Sequence, residues 1–248
     1  MVPYAPYKMN PLSRVKTHFL DLLFPPSCAG CKKAGTFLCN TCIAALTCMP
    51  PACFVCQKIV PATWQGRIPP GRTCMPCRRH TAIYAFFSPL SYQDKTIREA
   101  IHRFKYRRAR EFDRIFARLL LSSVNYYRIL FPPDAILVPV PLHARRKRAR
   151  GFNQSDVIAA RLSELLTLPL ATYALVRIKH TDPQAGLTKT TRLENIAGSF
   201  SVPNPAMVHK KTIILVDDVK TTGATLNEAA RVLKECGAKR VWAVTIAH

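Results

Sequence analysis

The sequence predicts an α/β fold, in which a mostly parallel sheet with flanking helices follows a small cysteine-rich module. Nine of the ten cysteines lie before residue 80, in a stretch that is interrupted by prolines and short on helical periodicity. After residue 80, apolar runs typical of strands alternate with helical segments, which indicates a parallel sheet with right-handed crossovers. We therefore divide the chain into a lead segment (1–27), a cysteine-rich module (28–80) and an α/β domain (81–248).

The first part of the α/β domain is predicted to contain two short strands and two helices. The strands are Ile83–Phe87 and Leu90–Tyr92. The helices are Thr96–Phe104 and Glu111–Tyr127, because apolar residues recur there at intervals of three and four.

The second part of the domain shows the regular β/α alternation. Its first strand is a continuous apolar run, which suits a strand buried on both faces of a parallel sheet. Gly237 marks the end of the last helix, since glycine commonly follows a helix C-terminus. In chain order we predict strand Ala135–Val140, helix Ser155–Leu166, strand Ala174–Ile178, strand Ile213–Val216, helix Ala224–Cys236 and strand Val241–Ile246.

The chain is strongly basic, with 37 Lys and Arg against 14 Asp and Glu and a net charge of +23. A charge of this size attracts phosphates and provides salt-dependent affinity for nucleic acid. The alternative is a basic protein without such a partner, because net charge governs association and not fold. The hydrophobic content of 48% and charged content of 21% exclude a disordered chain.

The sequence also predicts a cytoplasmic protein without a membrane span. No apolar run reaches the length of about 18 residues that a spanning helix needs. The most apolar N-terminal piece, Phe19–Phe24, is short and contains Asp21, so we expect no signal peptide. Paired cysteines without a signal peptide indicate a reducing compartment, where thiolates bind metal more often than they form disulfides.

Eight of the cysteines form four pairs with two residues between the members. A two-residue separation lets a tight turn direct both sulfurs at one ion, and two such pairs complete a tetrahedral four-thiolate zinc site. Such a site has no open position, so its zinc would be structural. The pairs are Cys28/Cys31, Cys39/Cys42, Cys53/Cys56 and Cys74/Cys77.

Two arrangements of these pairs are open at this point. Pairing of neighbours along the chain gives two zinc ions, and an interleaved arrangement is the alternative. A thioredoxin-like redox motif is disfavoured, because such motifs occur singly on a βαβ framework that this segment lacks. Of the two remaining cysteines, Cys236 is predicted to be a buried apolar residue and Cys48 has no assigned role.

A second motif follows the predicted strand Ile213–Val216. Two carboxylates precede a turn of small hydroxyl residues and glycine that opens a helix, and the unpaired N–H groups of a helix start attract anions. Adjacent carboxylates would repel a phosphate, so we expect them to face sugar hydroxyls. The alternative is an acidic cap with ordinary turn residues. The predicted binding residues are Asp217, Asp218, Val219, Lys220, Thr221, Thr222, Gly223, Ala224 and Thr225.

This segment resembles the phosphoribosyl pyrophosphate (PRPP) motif of type I phosphoribosyltransferases. The resemblance implies a fold like theirs for the α/β domain. It also implies that Asp217 and Asp218 bind the 2′- and 3′-hydroxyls of the ribose, that Thr221–Thr225 surround the 5′-phosphate, and that Mg²⁺ accompanies PRPP.

A wider set of motifs resembles the ComF family of competence-associated proteins. It covers nearly the whole chain from about Cys28 onward and is more specific than the PRPP motif alone. The resemblance implies a cytoplasmic PRPP-binding protein with an N-terminal double zinc ribbon that handles incoming single-stranded DNA. The motifs are the cysteine pairs, Phe104–Tyr106, Val138–His143, Arg145–Arg150, Gly151–Ser155, and the spaced residues Arg177, Gln184, Leu187, Arg192, Asn195 and Phe200.

A basic run follows the strand Ala135–Val140, at the edge where open α/β sheets bind ligands. Its cations could neutralise a pyrophosphate, and the alternative is a solvated basic loop. The polar stretch Lys179–Arg192 contains Pro183 and Gly186 and is predicted to be a lid over this pocket. The predicted pyrophosphate and lid contacts are Arg145, Arg146, Lys147, Arg148, Arg150, Lys105 and Arg192.

A second basic cluster, residues 103–110, interleaves cations with aromatic residues. Cations would follow the backbone of a single strand, and aromatic rings would stack on its bases. The alternative is that Phe104 is the last core residue of its helix. The predicted DNA-binding residues are Arg103, Lys105, Tyr106, Arg107, Arg108 and Arg110.

Two hypotheses about function result. The first is a PRPP-binding ComF-type protein that handles single-stranded DNA during natural transformation, with DNA-uptake or helicase machinery as a candidate partner. The second is an active Mg²⁺-dependent phosphoribosyltransferase, which would grip pyrophosphate and close its lid to reach a carbocation-like transition state. The sequence shows no recognisable nucleobase pocket, so the acceptor is unknown.

Overall fold

The structure is a computed structural model that describes residues 25–62, 68–106, 111–179 and 195–248. The side chains of Tyr106 and Glu111 lie outside the described part. The strands are β1 (Ala85–Phe87), β2 (Ala135–Pro139), β3 (Val176–Arg177), β4 (Phe200–Ser201), β5 (Thr212–Val219) and β6 (Arg240–Ala247). The helices are α1 (Asn40–Ala44), α2 (Lys95–Tyr106), α3 (Glu111–Tyr126), α4 (Ala144–Arg150), α5 (Gln154–Leu166) and α6 (Ala224–Glu235), with 3₁₀ turns at Met75–His80 and Pro205–Met207.

The central sheet is parallel and has the strand order β1–β6–β5–β2. Ile214 of β5 pairs with Trp242 of β6 on one side and with Leu137 of β2 on the other. Strands β3 and β4 form a separate antiparallel pair. The predicted α/β fold with a mostly parallel sheet is confirmed.

Both faces of this sheet are buried, which explains the continuous apolar runs of its strands. Successive residues of a strand face opposite sides. Ile214 and Val216 belong to the core that contains side chains of α2, α3 and α5. Ile213 and Leu215 belong to the core on the other face, which contains side chains of α6.

Three predicted elements differ from the structure. The segment Leu90–Tyr92 forms one isolated bridge, from Leu90 to Ala247, in place of a strand. The predicted strand at Ala174–Ile178 shortens to β3 and lies outside the central sheet. Strand β5 continues through both aspartates to Val219, because its pairing with β6 extends that far.

The basic run 145–150 forms helix α4 and not a loop, and α4 leads directly into α5. His143 caps α4, and Gly151 ends it with a φ of 81°. Asn153 caps α5, and its Nδ2 donates to the Val140 carbonyl at 3.1 Å. The start of α5 is therefore attached to the end of β2.

The first four cysteines pack on α2 and α3. Cys28 and Leu38 are buried in the core that these helices share. The ring centroid of Phe37 lies 5.3 Å from that of Phe112 on α3. The Arg103 guanidinium of α2 donates to the Ser27 carbonyl, which adds a polar attachment.

The segment that carries Cys53, Cys56, Cys74 and Cys77 packs on the opposite face of the sheet through Phe54, and the residues just before Cys74 join the sheet edge. Phe86 N of β1 donates to the Gly71 carbonyl at 2.9 Å, and Thr73 N donates to the Tyr84 carbonyl at 2.8 Å. Phe54, next to Cys53, lies in the core that contains α6 side chains. Because both halves of the module share cores with the α/β domain, the boundary near residue 80 stays a prediction. Across the described residues, no helix combines the length and apolar character that crossing a membrane requires.

Candidate functional site

A cavity of about 400 Å³ opens at the carboxyl ends of β2 and β5. Strand β2 ends there beside its parallel neighbour β5, since its last residue, Pro139, pairs with Val216, and β5 continues to Val219. The cavity combines a carboxylate pair with several cations, which suits a ligand that carries both hydroxyls and phosphates. The charged residues that line it are Lys105, Arg146, Arg150, Arg177, Asp217 and Asp218.

The two carboxylates each have a dedicated partner from another element. Asp217 Oδ1 accepts a hydrogen bond from Ser155 Oγ at 2.9 Å, at the start of α5. Asp218 Oδ2 lies 2.9 Å from Lys105 Nζ, near the end of α2. Helices on the α2–α3–α5 side of the sheet therefore fix both carboxylates in the cavity.

Burial leaves Asp217 with an unusual pKa. Loss of water around the carboxylate, followed by the charge of Asp218, raises the pKa of Asp217 to about 7, although Ser155 and Lys105 act in the opposite direction. Burial lowers the pKa of Lys105, but attraction to Asp218 outweighs this and raises it. Asp217 thus holds a proton more readily than a carboxyl group in water does.

The predicted phosphate loop, residues 221–225, encloses a second and smaller depression of about 30 Å³ beside the cavity. Asp217, Val219, Thr221 and Thr225 line both spaces. Gly223 caps α6 with a φ of 80°, a conformation that favours glycine. The depression therefore lies at the positive end of a twelve-residue helix, which is the geometry of an anion cradle.

Lys220 was predicted to bind the ligand, and its side chain is enclosed by aromatic rings at the start of the loop. It is 4% exposed, and its Nζ lies 5.1 Å from the ring centroid of Phe54 and 5.2 Å from that of Phe86. It does not line the larger cavity, but it is among the residues that line the smaller depression. The ammonium group of Lys220 is thus held between two rings next to that depression, and its role in binding stays a prediction.

Helix α4 divides the predicted pyrophosphate cluster into two sets. Arg146 and Arg150 are one helical turn apart, are partly buried and line the cavity. Arg145 and Arg148 are exposed and lie outside the cavity lining. Lys147 is also exposed, and its Nζ lies 3.3 Å from Asp156 Oδ2.

Three further residues line the cavity although no separate role was predicted for them. Arg177 reaches it from β3, and burial followed by repulsion from Arg146 lowers the pKa of Arg177 to about 10. Gln154 Oε1 accepts from Arg150 at 3.2 Å, and Ser155 holds Asp217. Their only sequence signal was membership of the ComF motifs, because their role depends on where α5 and β3 lie relative to the end of β5.

The predicted DNA-binding cluster is largely used inside the protein or lies outside the described residues. Arg103 pairs with Glu99, its Nε 2.7 Å from the carboxylate, and Phe104 is completely buried. Lys105 lies in the cavity against Asp218. Phe104 is therefore a core residue, as the alternative interpretation predicted. Outside the described part lie the Tyr106 side chain, Arg107, Arg108, Arg110, Arg192 and, except for Lys179, the predicted lid.

The eight paired cysteines form two tetrads of neighbours in sequence, and within each the four sulfurs lie within 4.8 Å of one another. The Sγ–Sγ distance is 3.7 Å for Cys31 and Cys39, and 3.6 Å for Cys53 and Cys74. Metal–sulfur bonds of about 2.3 Å place tetrahedral sulfurs about 3.8 Å apart, so both tetrads fit a tetrahedral ion. The first tetrad is Cys28, Cys31, Cys39 and Cys42, and the second is Cys53, Cys56, Cys74 and Cys77.

The pKa values of the tetrads also fit a bound cation. Burial raises the pKa of Cys28 and of Cys53, but backbone N–H donors outweigh it and lower each to about 6. A hydrogen bond with a neighbouring sulfur raises the pKa of Cys42 and of Cys77 to about 12. A bound metal ion would lower the raised pKa values as well, because it stabilises all four thiolates together.

The pKa of Asp217 predicts a pH-dependent stability difference between the wild type and Asp217→Asn. The folded pKa of about 7 lies above the unfolded value of about 3.9, so the wild type loses stability as pH rises through this window. Asn does not ionise, so the stability of Asp217→Asn does not fall with pH in this way. In thermal unfolding without Mg²⁺ or phosphate, the Tm of Asp217→Asn relative to that of the wild type should rise by on the order of 5 °C between pH 5 and pH 7.5.

Asp134→Asn is the matched control for this measurement. Burial raises the pKa of Asp134, but hydrogen bonds from Thr212 and Lys239 outweigh it and lower the value. Its titration is complete below the tested range, so its difference from the wild type should stay constant. A constant difference for Asp217→Asn as well would contradict the raised pKa.

Comparisons with known proteins agree with this geometry. The family described as "Phosphoribosyl transferase domain" matches residues 153–248, which contain α5, β5, the phosphate loop, α6 and β6. Competence protein F of Haemophilus influenzae is 32% identical over 220 residues, covering 86% of each chain. DNA utilization protein YhgH of Escherichia coli K12 is 34% identical over 210 residues, covering 82% of this chain and 87% of that protein.

Competence protein ComFC of Bacillus subtilis is 33% identical over 174 residues, covering 70% of this chain and 64% of that protein. Similarity at this level extends across the cysteine-rich part and the α/β part, beyond the single matched domain. The resemblance predicted from the sequence motifs is therefore confirmed, and the chain belongs to the ComF family.

Proposed function

We propose that this protein binds PRPP with Mg²⁺ in the cavity and handles single-stranded DNA during DNA uptake. The observation that carries the first half is that two spaces adjoin, a small depression at residues 221–225 and a cavity with paired carboxylates and arginines. PRPP carries a phosphate at one end of a ribose and a pyrophosphate at the other. The ligand and the site therefore present complementary groups in the same order.

Each part of PRPP has a matching set of residues. The phosphate loop receives the 5′-phosphate through its hydroxyls and the start of α6. Asp217 and Asp218 accept hydrogen bonds from the ribose hydroxyls, for which charged acceptors are strong partners. Arg146 and Arg150 on α4 bind the pyrophosphate. Bound Mg²⁺ supplies further positive charge for the pyrophosphate oxygens.

The DNA half of the proposal rests on charge and on family membership. Relatives carry the names competence protein F, DNA utilization protein YhgH and competence protein ComFC. The net charge of +23 favours a polyanionic partner. Arg145 and Arg148 are exposed on the helix whose other face lines the cavity, so DNA bound there would lie beside PRPP.

The two tetrads are proposed to hold one structural Zn²⁺ each. Four thiolates with tetrahedral spacing are the ligand set that zinc prefers, and they leave no open position for catalysis. A cysteine module of this size buries little apolar surface of its own, so metal binding supplies part of its folding energy.

Replacement of both carboxylates should weaken PRPP binding. Above pH 7, where Asp217 is ionised, Asp217→Asn/Asp218→Asn loses two charged acceptors. Each hydrogen bond to a charged group contributes on the order of 2 kcal/mol, so we expect a Kd at least tenfold weaker. Isothermal calorimetry with PRPP and Mg²⁺ measures this. Asp134→Asn, whose carboxylate pairs with Lys239 away from the cavity, should bind like the wild type.

Equal affinities of the wild type and the double variant, or no binding by either, would contradict the PRPP proposal. A pyrophosphate assay with a panel of nucleobases separates binding from the alternative transferase function. A binding protein releases no pyrophosphate, and release with any base would favour the transferase.

Replacement of the exposed arginines of α4 should reduce the salt dependence of DNA binding. Each cation that neutralises a phosphate of a single strand adds about 0.7 to the slope of log K against log salt, so Arg145→Gln/Arg148→Gln should lower that slope by about 1.4. Fluorescence anisotropy with an oligonucleotide over a salt series provides the slope. The control Lys210→Gln/Lys211→Gln removes equal charge from the segment before β5 and should leave the slope unchanged.

The wild type must bind the oligonucleotide in a salt-sensitive manner for this proposal to stand. Salt-insensitive binding removes the DNA half of the function. An equal change of slope in the control would place the DNA elsewhere on the basic surface.

Metal analysis of the purified chain should find two zinc ions per molecule. Cys31→Ser should lower the content to one, because the first tetrad loses a ligand while the second stays complete. Cys236→Ser, outside both tetrads, should retain two. A wild type free of zinc, with its cysteine pairs oxidised to disulfides, would favour the redox interpretation.

A further inference from the structure

Phe54, the residue after the first cysteine of the second tetrad, lies directly on the glycine of the phosphate loop. A Cβ atom placed on Gly223 would come within 2.7 Å of Phe54 Cζ. Phe54 is 5% exposed, so the ring fills the space that a side chain at position 223 would need. Glycine is therefore required there by the close approach of the ring as well as by its positive φ.

Phe54 also contacts the residue at the other end of the same turn. The Lys220 ammonium lies 5.1 Å from the centroid of its ring, and Phe86 of β1 approaches from the second side at 5.2 Å. The two rings are edge to face, with centroids 5.4 Å apart. Cation–π contacts of this kind are strongest where water is excluded, as it is around Lys220. The turn from Lys220 to Gly223 thus rests on Phe54.

The position of Phe54 depends in turn on the second tetrad. Cys53 and Cys56 flank the ring in a tight turn, in which Gln57 N donates to the Cys53 carbonyl at 3.0 Å. Metal bound by the tetrad would join this turn to Cys74, which follows the segment that is hydrogen-bonded to β1. Metal loss would therefore release the turn that carries Phe54.

The second tetrad is connected to α6 at another point. Cys77 lies in the 3₁₀ turn Met75–His80, and the next residue, Thr81, donates from Oγ1 to Asn227 Oδ1 at 2.8 Å. Ala82 N donates to the same oxygen at 3.1 Å. The first turns of α6 are thus held at Gly223 by Phe54 and at Asn227 by the segment after the tetrad.

We infer that Phe54 is a positioning residue that couples the second metal site to the phosphate loop. The inference rests on the proposed function, since it concerns the loop that receives the 5′-phosphate. Coupling between two sites is reciprocal. Metal in the second tetrad strengthens phosphate binding at residues 221–225, and bound phosphate slows the loss of that metal. The first tetrad packs against α2 and α3 instead.

Ribose 5-phosphate is the probe for this coupling, because it carries the phosphate and ribose of PRPP without the magnesium-binding pyrophosphate. Phe54→Ala should bind it about tenfold more weakly than the wild type in calorimetry. Its affinity for pyrophosphate should be unchanged, because those cations belong to α4. The matched control is Phe37→Ala, which removes a ring of the first tetrad's segment that packs on Phe112. It should bind both probes like the wild type.

Metal retention provides the second readout. Ribose 5-phosphate should slow the removal of one of the two zinc ions by a chelator in the wild type, and should have no effect on removal from Phe54→Ala. Phe54→Leu keeps an apolar side chain in the gap and should give intermediate values for both readouts. Phe54→Leu also provides the test of the coupling if Phe54→Ala does not fold.

The outcomes separate this inference from the proposed function. A wild type that binds ribose 5-phosphate, with unchanged affinity in both Phe54 variants, overturns the inference and leaves the proposed function intact. Equal losses in Phe37→Ala overturn it too, because the effect would then be general. A wild type that binds neither ribose 5-phosphate nor PRPP contradicts the proposed function and the inference together.

Discussion

The close placement of two adjacent carboxylates at the end of β5, one buried and one half-buried, is the constraint on which the candidate site depends. Their strand lies between β2 and β6, and the cavity at its end connects them to solvent. Asp217 and Asp218 repel one another there, and a hydroxyl and an ammonium group offset part of the cost. Those partners come from α5 and α2, so both helices must reach the same edge of the sheet. A ligand that brings hydrogen-bond donors or a cation to this edge would complete the compensation.

The cysteine module contributes to the same construction from outside the sheet. Its first tetrad packs on α2 and α3, and its second packs behind the phosphate loop through Phe54. Lys220, a residue of the binding motif, shows the effect of this packing. Its ammonium group lies between the ring of Phe54 from the module and the ring of Phe86 from β1. The cysteine module, which lacks a core of its own, thus shapes the candidate site of the α/β domain.

Local patterns were predictable from the sequence, and contacts across the chain were not. The strands, the glycine turn and the cysteine spacing are each encoded within a few residues. Lys105 was predicted as a site residue, but its pairing with Asp218 was not, because the two lie in distant segments. No local pattern indicates that the ring of Phe54 covers Gly223. The prediction for the basic run was incomplete for a related reason. Once the run forms a helix, its period sends Arg146 and Arg150 to the cavity and Arg145 and Arg148 to solvent.

The decisive measurement is a crystal structure of the protein with PRPP and Mg²⁺. We expect the 5′-phosphate within residues 221–225, the ribose hydroxyls against Asp217 and Asp218, and the pyrophosphate toward α4. Density for PRPP at any other surface, or its absence from this cavity at saturating concentration, would contradict PRPP binding at the end of β5.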